Sequence, residues 1–92
     1  MSVSTEAPRL ARRVRLRYDE VRDQHVLLLP ERVIVLSESA AQILGLVDGE
    51  RDEAAIIAEL QRRYPDADLA EDVREFLAQA RTNKWLQSEA RR

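Results

Sequence analysis

The sequence predicts an α+β domain, a three-stranded antiparallel sheet followed by three helices. Three observations predict it. Residues 13–18 alternate strictly between arginine and apolar side chains, the period-two signature of a half-buried strand. Two short runs rich in Val, Ile and Leu, Val26–Leu29 and Val33–Leu36, are split by Pro30-Glu31-Arg32 and read as strands joined by a tight turn. Beyond Ser37 the apolar residues recur at the three- and four-residue spacing of helices.

The elements follow in order. Residues 1–10 combine small and polar residues with Pro8 and lack periodicity, so a disordered lead-in is expected, with the domain spanning 11–88. In the first strand Val14, Leu16 and Tyr18 share one face, and Arg13, Arg15 and Arg17 share the other. Residues 19–24 form a charged hairpin connection. His25–Leu29 returns, and Val33–Leu36 makes the third strand. Connections this short favour an antiparallel meander.

Ser37 is expected to cap a first helix, from about Glu38 to Val47, with Ser39 and Gln42 as an alternative capping pair. Its stripe is Ala40, Ile43, Leu44 and Val47, and Asp48-Gly49 stops it. Asp52 caps a second helix that runs to about Arg63. Ala55, Ile56, Ile57 and Leu60 face inward, and Pro65 ends it. The third helix starts at Asp68, with Glu71 three residues on, and carries Leu69, Val73, Phe76, Leu77 and Ala80 as its stripe. Asn83 is expected in a left-handed conformation. Trp85 and Leu86 return to the core or extend as a terminal strand, and Arg91 and Arg92 fray. A helix–turn–helix beside a small sheet is winged-helix-like, here with the strands first.

Composition excludes several classes of function. Ninety-two residues make one domain, with little room for a large enclosed cavity. With no Cys there is no disulfide and no thiolate chemistry. One histidine, His25, excludes a multi-histidine metal site within one chain. No apolar run approaches the ~20 residues of a membrane span, and the first residues lack the apolar stretch of a signal peptide. A cytoplasmic location is therefore expected.

No catalytic constellation emerges. His25 sits at a strand start, where an exposed histidine is the ordinary case. Glu38, Asp52, Glu53, Asp68, Glu71 and Asp72 cluster at helix starts, where the helix dipole accounts for them. Neither glycine belongs to a phosphate-binding loop. The charge is uneven: residues 1–18 carry +4 and residues 19–92 carry −6, together −2. The basic end raises nucleic-acid binding. The third helix, however, exposes Glu71, Asp72 and Glu75, which phosphates would repel.

The last strand is the informative stretch. Val33 and Val35 point one way and Ile34 and Leu36 the other, so it is apolar on both faces. A small domain offers one core face, and the second needs a cover. If the strand is a sheet edge, its free N–H and C=O groups template another strand. Ile34 or Val35, with Val73, Leu77, Ala80 and Arg81 on the third helix, would form an apolar groove for an extended peptide. Pairing with a second copy at the same edge, giving a homodimer, is the alternative.

The run Leu27-Leu28-Leu29-Pro30-Glu31, then Val35-Leu36-Ser37, Ala40-Ala41, Ile43-Leu44 and Asp48-Gly49, resembles the PqqD family of pyrroloquinoline quinone biosynthesis. The helix with Val73 and Phe76-Leu77, followed by Trp85-Leu86, fits as well, and the likeness covers roughly residues 8–87. Ser37 stands where the family has Asn, and Asn83 where it has Gly; either substitute suits its place.

The resemblance implies a non-enzymatic peptide chaperone and RiPP precursor recognition element, with no metal or cofactor. Its partners would be the precursor peptide PqqA and the radical SAM enzyme PqqE, which cross-links a Glu and a Tyr of that peptide. It implies a peptide strand added along Val33, Ile34, Val35 and Leu36, lying beside Val73, Leu77, Ala80 and Arg81. The competing reading is a winged-helix interaction or nucleic-acid-binding module acting as a dimer.

Overall fold

A computed structural model describes residues 6–90, with side chains described for 7–87. The elements run β1 (Glu6–Leu10), β2 (Arg15–Asp19), β3 (Gln24–Leu28), β4 (Val33–Leu36), α1 (Glu38–Gly45), α2 (Glu53–Arg63), α3 (Ala70–Thr82) and β5 (Leu86–Ala90). Strands β2, β3 and β4 form the antiparallel meander, in that spatial order. The three helices follow, as the fold class requires.

Alternation sorts the meander into two faces. Leu16 pairs with Leu27, and Leu27 with Ile34. This row faces α1 and enters the core beside Leu36, Ile43, Leu44, Ile56, Leu60, Val73 and Leu77. Leu27, Ile56 and Leu77 have no exposed surface, and Leu44 has 1%. The other face carries Arg15, Arg17, Val26, Leu28, Val33 and Val35.

Two helix starts obey side-chain chemistry. Ser37 accepts the N–H of Ala40 through its hydroxyl at 3.2 Å, and Asp52 Oδ1 accepts that of Ala55 at 2.8 Å. Each replaces a bond that the first turn cannot make internally. The third start differs from expectation. Leu69, not Asp68, is the N-cap of α3, and no side chain caps it. At the other end Asn83 stays right-handed with φ −81°, and Lys84 takes the left-handed turn with φ 65°. Ala55, expected inward, is exposed.

The disordered lead-in expected over residues 1–10 is corrected for 6–10. These residues form β1, antiparallel to β5, with Leu10 opposite Leu86 and Pro8 opposite Ser88. Ala7 and Pro8 are buried. Gly49, at φ +80°, donates its N–H to the Pro8 carbonyl at 2.9 Å, and Ala11 donates to the Trp85 carbonyl at 2.8 Å. The N-terminal strand is thus held between the chain's far end and the α1–α2 turn. Residues 1–5 of that lead-in and the fraying expected of Arg91 and Arg92 lie outside the described residues. Both expected fates of Trp85-Leu86 are realised: Trp85 packs against the core, and Leu86 is buried in it while opening the terminal strand.

Candidate peptide-binding edge and cleft

Strand β4 pairs with β3 on one side only, and among the described residues no strand flanks its other side. The ladder phase identifies its free groups. Leu29 donates its N–H to the Arg32 carbonyl at 2.8 Å, which makes this facing pair a hydrogen-bonded one. Such pairs alternate along an antiparallel ladder. Leu27·Ile34 and His25·Leu36 are then bonded pairs, and Leu28·Val33 and Val26·Val35 are not. The N–H and C=O groups of Val33 and Val35 therefore point away from β3, toward the open edge.

A cleft of about 730 Å³ begins at Ser37, immediately after β4. Its walls come from the start of α1 (Ala40, Ile43), the end of α2 (Leu60, Tyr64) and the start of α3 (Leu69, Val73, Phe76). Glu38 and Asp72 stand among its lining residues, which include no arginine or lysine. Gln42, also in the wall, is held by the Tyr64 hydroxyl and accepts from Arg63 Nη1 at 3.2 Å. Glu59 fixes Arg63 in turn, from Nε at 2.9 Å, and also takes Arg62. Hydrogen bonds from these two guanidiniums, Arg62 first, hold the Glu59 carboxyl down to about 2.

The residues singled out from sequence divide. Val33 and Val35 are 59% and 60% exposed on β4, and Ile34 and Leu36 turn into the core side. Val73 reaches the cleft with only 2% of its surface exposed. Leu77 and Ala80 are fully buried and do not line the cleft. Their expected place in the groove is corrected to a place in the core. Arg81 is exposed near the C-terminal end of α3, outside the cleft. Phe76 and Leu69 belong to the core stripe by helical spacing, yet both line the cleft, as does Asp72. Phe76 and Asp72 each precede a buried residue, Leu77 and Val73, by a step of about 100° around the helix, and Leu69 lies one turn before Val73.

The exposed face of α3 includes Glu71, Asp72 and Glu75, and Arg74 is turned to Glu53 at 3.7 Å. A helix with this charge is poorly suited to a DNA groove. Among the described residues no group of three His, Cys, Asp or Glu side chains is placed to hold a metal ion, and no helix is long and apolar enough to cross a membrane.

An exposed edge beside an apolar cleft is recognition geometry, and comparison with known proteins agrees. The family model for Coenzyme PQQ synthesis protein D (PqqD) matches residues 24–86. The chain belongs to the PqqD family. An Azotobacter vinelandii protein named PqqA binding protein is 46% identical over 83 residues, covering 89% of this chain and 90% of that one. A Pseudomonas fluorescens protein of the same name is 49% identical over 73 residues, covering 78% and 80%. Among solved structures, the solution NMR structure of the PqqD truncation of Methylobacterium extorquens PqqCD superposes with a TM-score of 0.71. It is 43% identical, over 87% of each chain, and is described as a functional, stand-alone RiPP recognition element. PqqD-family membership makes this chain a recognition protein rather than a catalyst.

Proposed function

We propose that this PqqD-family chain is a peptide chaperone of pyrroloquinoline quinone biosynthesis. It binds the precursor peptide PqqA as an added strand along β4 and presents it to the radical SAM enzyme PqqE. The observation that carries this reading is the open β4 edge, with the main-chain groups of Val33 and Val35 directed outward and an apolar cleft at its end. Relatives named PqqA binding protein support it.

The peptide gains main-chain bonds from Val33 and Val35, and Ile34 and Leu36 set the strand that carries them. Alternate peptide side chains descend toward α3, where Phe76, Leu69 and Val73 offer apolar contact. Leu77 and Ala80 keep this wall in place from the core. A free peptide loses conformational entropy on ordering, and a preformed edge lowers that loss at the enzyme. Holding peptide and enzyme together raises local substrate concentration to the order of millimolar.

The test is an amide NMR titration of labelled protein with synthetic PqqA. Shifts gathered at residues 33–43 and 69–76 are expected. A folded, monomeric protein with no shifts there would sink the strand-addition reading. Release of a homodimer by peptide would show that a second copy competes for the edge.

A further inference from the structure

The outer face of the meander is a second surface, turned away from the core. Its aliphatic part falls into two rows, Arg15–Leu28–Val33 and Arg17–Val26–Val35, and a polar row, Asp19–Gln24, continues the face at the hairpin end. Each aliphatic row runs from an arginine on β2, through an aliphatic residue on β3, to a valine on the β4 edge. Val26 is 9% exposed yet lies outside the core cluster, while Val33 and Val35 stay well exposed. No described element covers this face.

The arginines differ from those on the helical side. Arg51, Arg62, Arg63 and Arg74 each have a carboxylate partner. Among the described residues, Arg13, Arg15 and Arg17 have no ion-pair partner, although Arg15 donates to the Arg12 carbonyl at 3.2 Å. Asp19, the carboxylate of this face, accepts the backbone N–H groups of Val21 and Arg22 and pairs with neither arginine. An aliphatic strip bordered by two unpaired guanidiniums calls for a partner bearing carboxylates beside apolar side chains. Isologous packing with a second copy would bring two arginine pairs into one interface with only one Asp19 from each copy to offset them. A nucleic acid would find the positive charge but gain little from valines, since no aromatic ring lies in these two rows.

We propose that this outer face, centred on Arg15, Arg17, Val33 and Val35, docks a protein partner with an acidic, aliphatic surface. The assignment rests on the reading above in taking that partner to be the enzyme that receives the peptide. The two contacts are compatible: an added strand uses the edge of β4 and leaves its outer face open. Every second side chain of that strand would continue the face beyond Val33 and Val35. The enzyme would then meet carrier and peptide as one surface.

The experiment uses the full chain and the double variant Arg15→Glu/Arg17→Glu, titrated separately with synthetic PqqA and with purified PqqE in the presence of PqqA. Peptide affinity should stay within about twofold, because neither arginine touches the proposed peptide site. Enzyme affinity should fall about tenfold or more, and that of the unaltered protein should weaken as salt rises. Equal enzyme binding by both proteins would overturn the docking assignment and leave the chaperone reading intact. If the unaltered protein binds PqqA but not PqqE, presentation itself fails, and this partner assignment with it. Binding of a DNA duplex that the double variant loses would overturn it in favour of a phosphate-binding face. Arg15→Ala/Arg17→Ala, with an unchanged amide spectrum elsewhere, should show a smaller loss in the same direction if the charge-reversed protein is poorly folded.

Discussion

Gly49 reaches Pro8 across 41 positions of sequence and donates its backbone N–H to the Pro8 carbonyl at 2.9 Å. The bond depends on the left-handed backbone at Gly49, φ +80°. A Cβ there would meet the Arg9 Cβ at 3.5 Å, an ordinary contact, so the backbone decides the outcome. Gly49→Ala should destabilise the domain by about 1–2 kcal/mol. Gly45, in the last turn of α1, has open space where a methyl group would stand, with nothing within 4 Å. Gly45→Ala should stabilise by about 0.5–1 kcal/mol. Urea unfolding of the pair should give opposite signs; two effects of the same sign would refute the backbone argument.

Ladder phase separates two neighbouring proline variants. Val35 directs its N–H to the open edge, whereas Ile34 sits in a bonded pair with Leu27. Val35→Pro should leave the meander folded and abolish PqqA binding, because it deletes an edge donor. Ile34→Pro should weaken the fold itself, by about 3 kcal/mol or more. Circular dichroism melts beside peptide titrations would show the two losses apart. Normal peptide binding by folded Val35→Pro would remove the edge from the mechanism.

Phe76 and Leu77 are adjacent on α3 but belong to different surfaces. Leu77→Ala should cost about 2–5 kcal/mol of stability, the usual range for a fully buried leucine. Phe76→Ala should cost less, since the ring is partly exposed in the cleft, and should weaken PqqA binding about tenfold. If Phe76→Ala bound the peptide normally, the cleft would not be the side-chain site.

Acid should loosen the end of α2. The Glu59 carboxyl is lowered from 4.5 to about 2 by Arg62 and Arg63. A folded-state value below the unfolded one means that the stabilisation is complete above about pH 4.5 and is lost as pH falls toward 2. A carboxyl-detected NMR titration should place the Glu59 midpoint well below that of an ordinary glutamate. Arg62→Gln should move it upward, and an unmoved midpoint would contradict the assignment of cause.

Local chemistry was the legible part of this fold. Ser37 and Asp52 cap their helices through their own side chains, and the alternation of residues 13–18 declares the strand that forms at Arg15–Asp19, although Arg13 falls in the preceding turn. The position of β4 at the sheet edge followed from short connections. What escaped depends on distant partners. Glu6–Leu10 has no apolar rhythm, and it becomes a strand only because β5 and Gly49 meet it. Leu77 and Phe76 share one helical stripe in sequence; only the placement of α1 and α2 decides which of them meets the cleft. The left-handed turn fell one residue later than expected, at Lys84, where Trp85 donates its N–H back to the Ala80 carbonyl at 2.9 Å. The long-range return of the chain, not local preference, set that choice.

The pairing of β1 with β5 brings the two ends of the described chain side by side, with Glu6 opposite Ala90. Either end is then an equivalent point for genetic fusion, since a cargo joined to one leaves from the same corner as a cargo joined to the other. A short Gly-Ser bridge between them would close the backbone into a ring with little loop-closure entropy. The ring could be reopened at the exposed hairpin tip around Val21, which is 94% exposed, to give a circular permutant with β4, its cleft and its outer face unchanged.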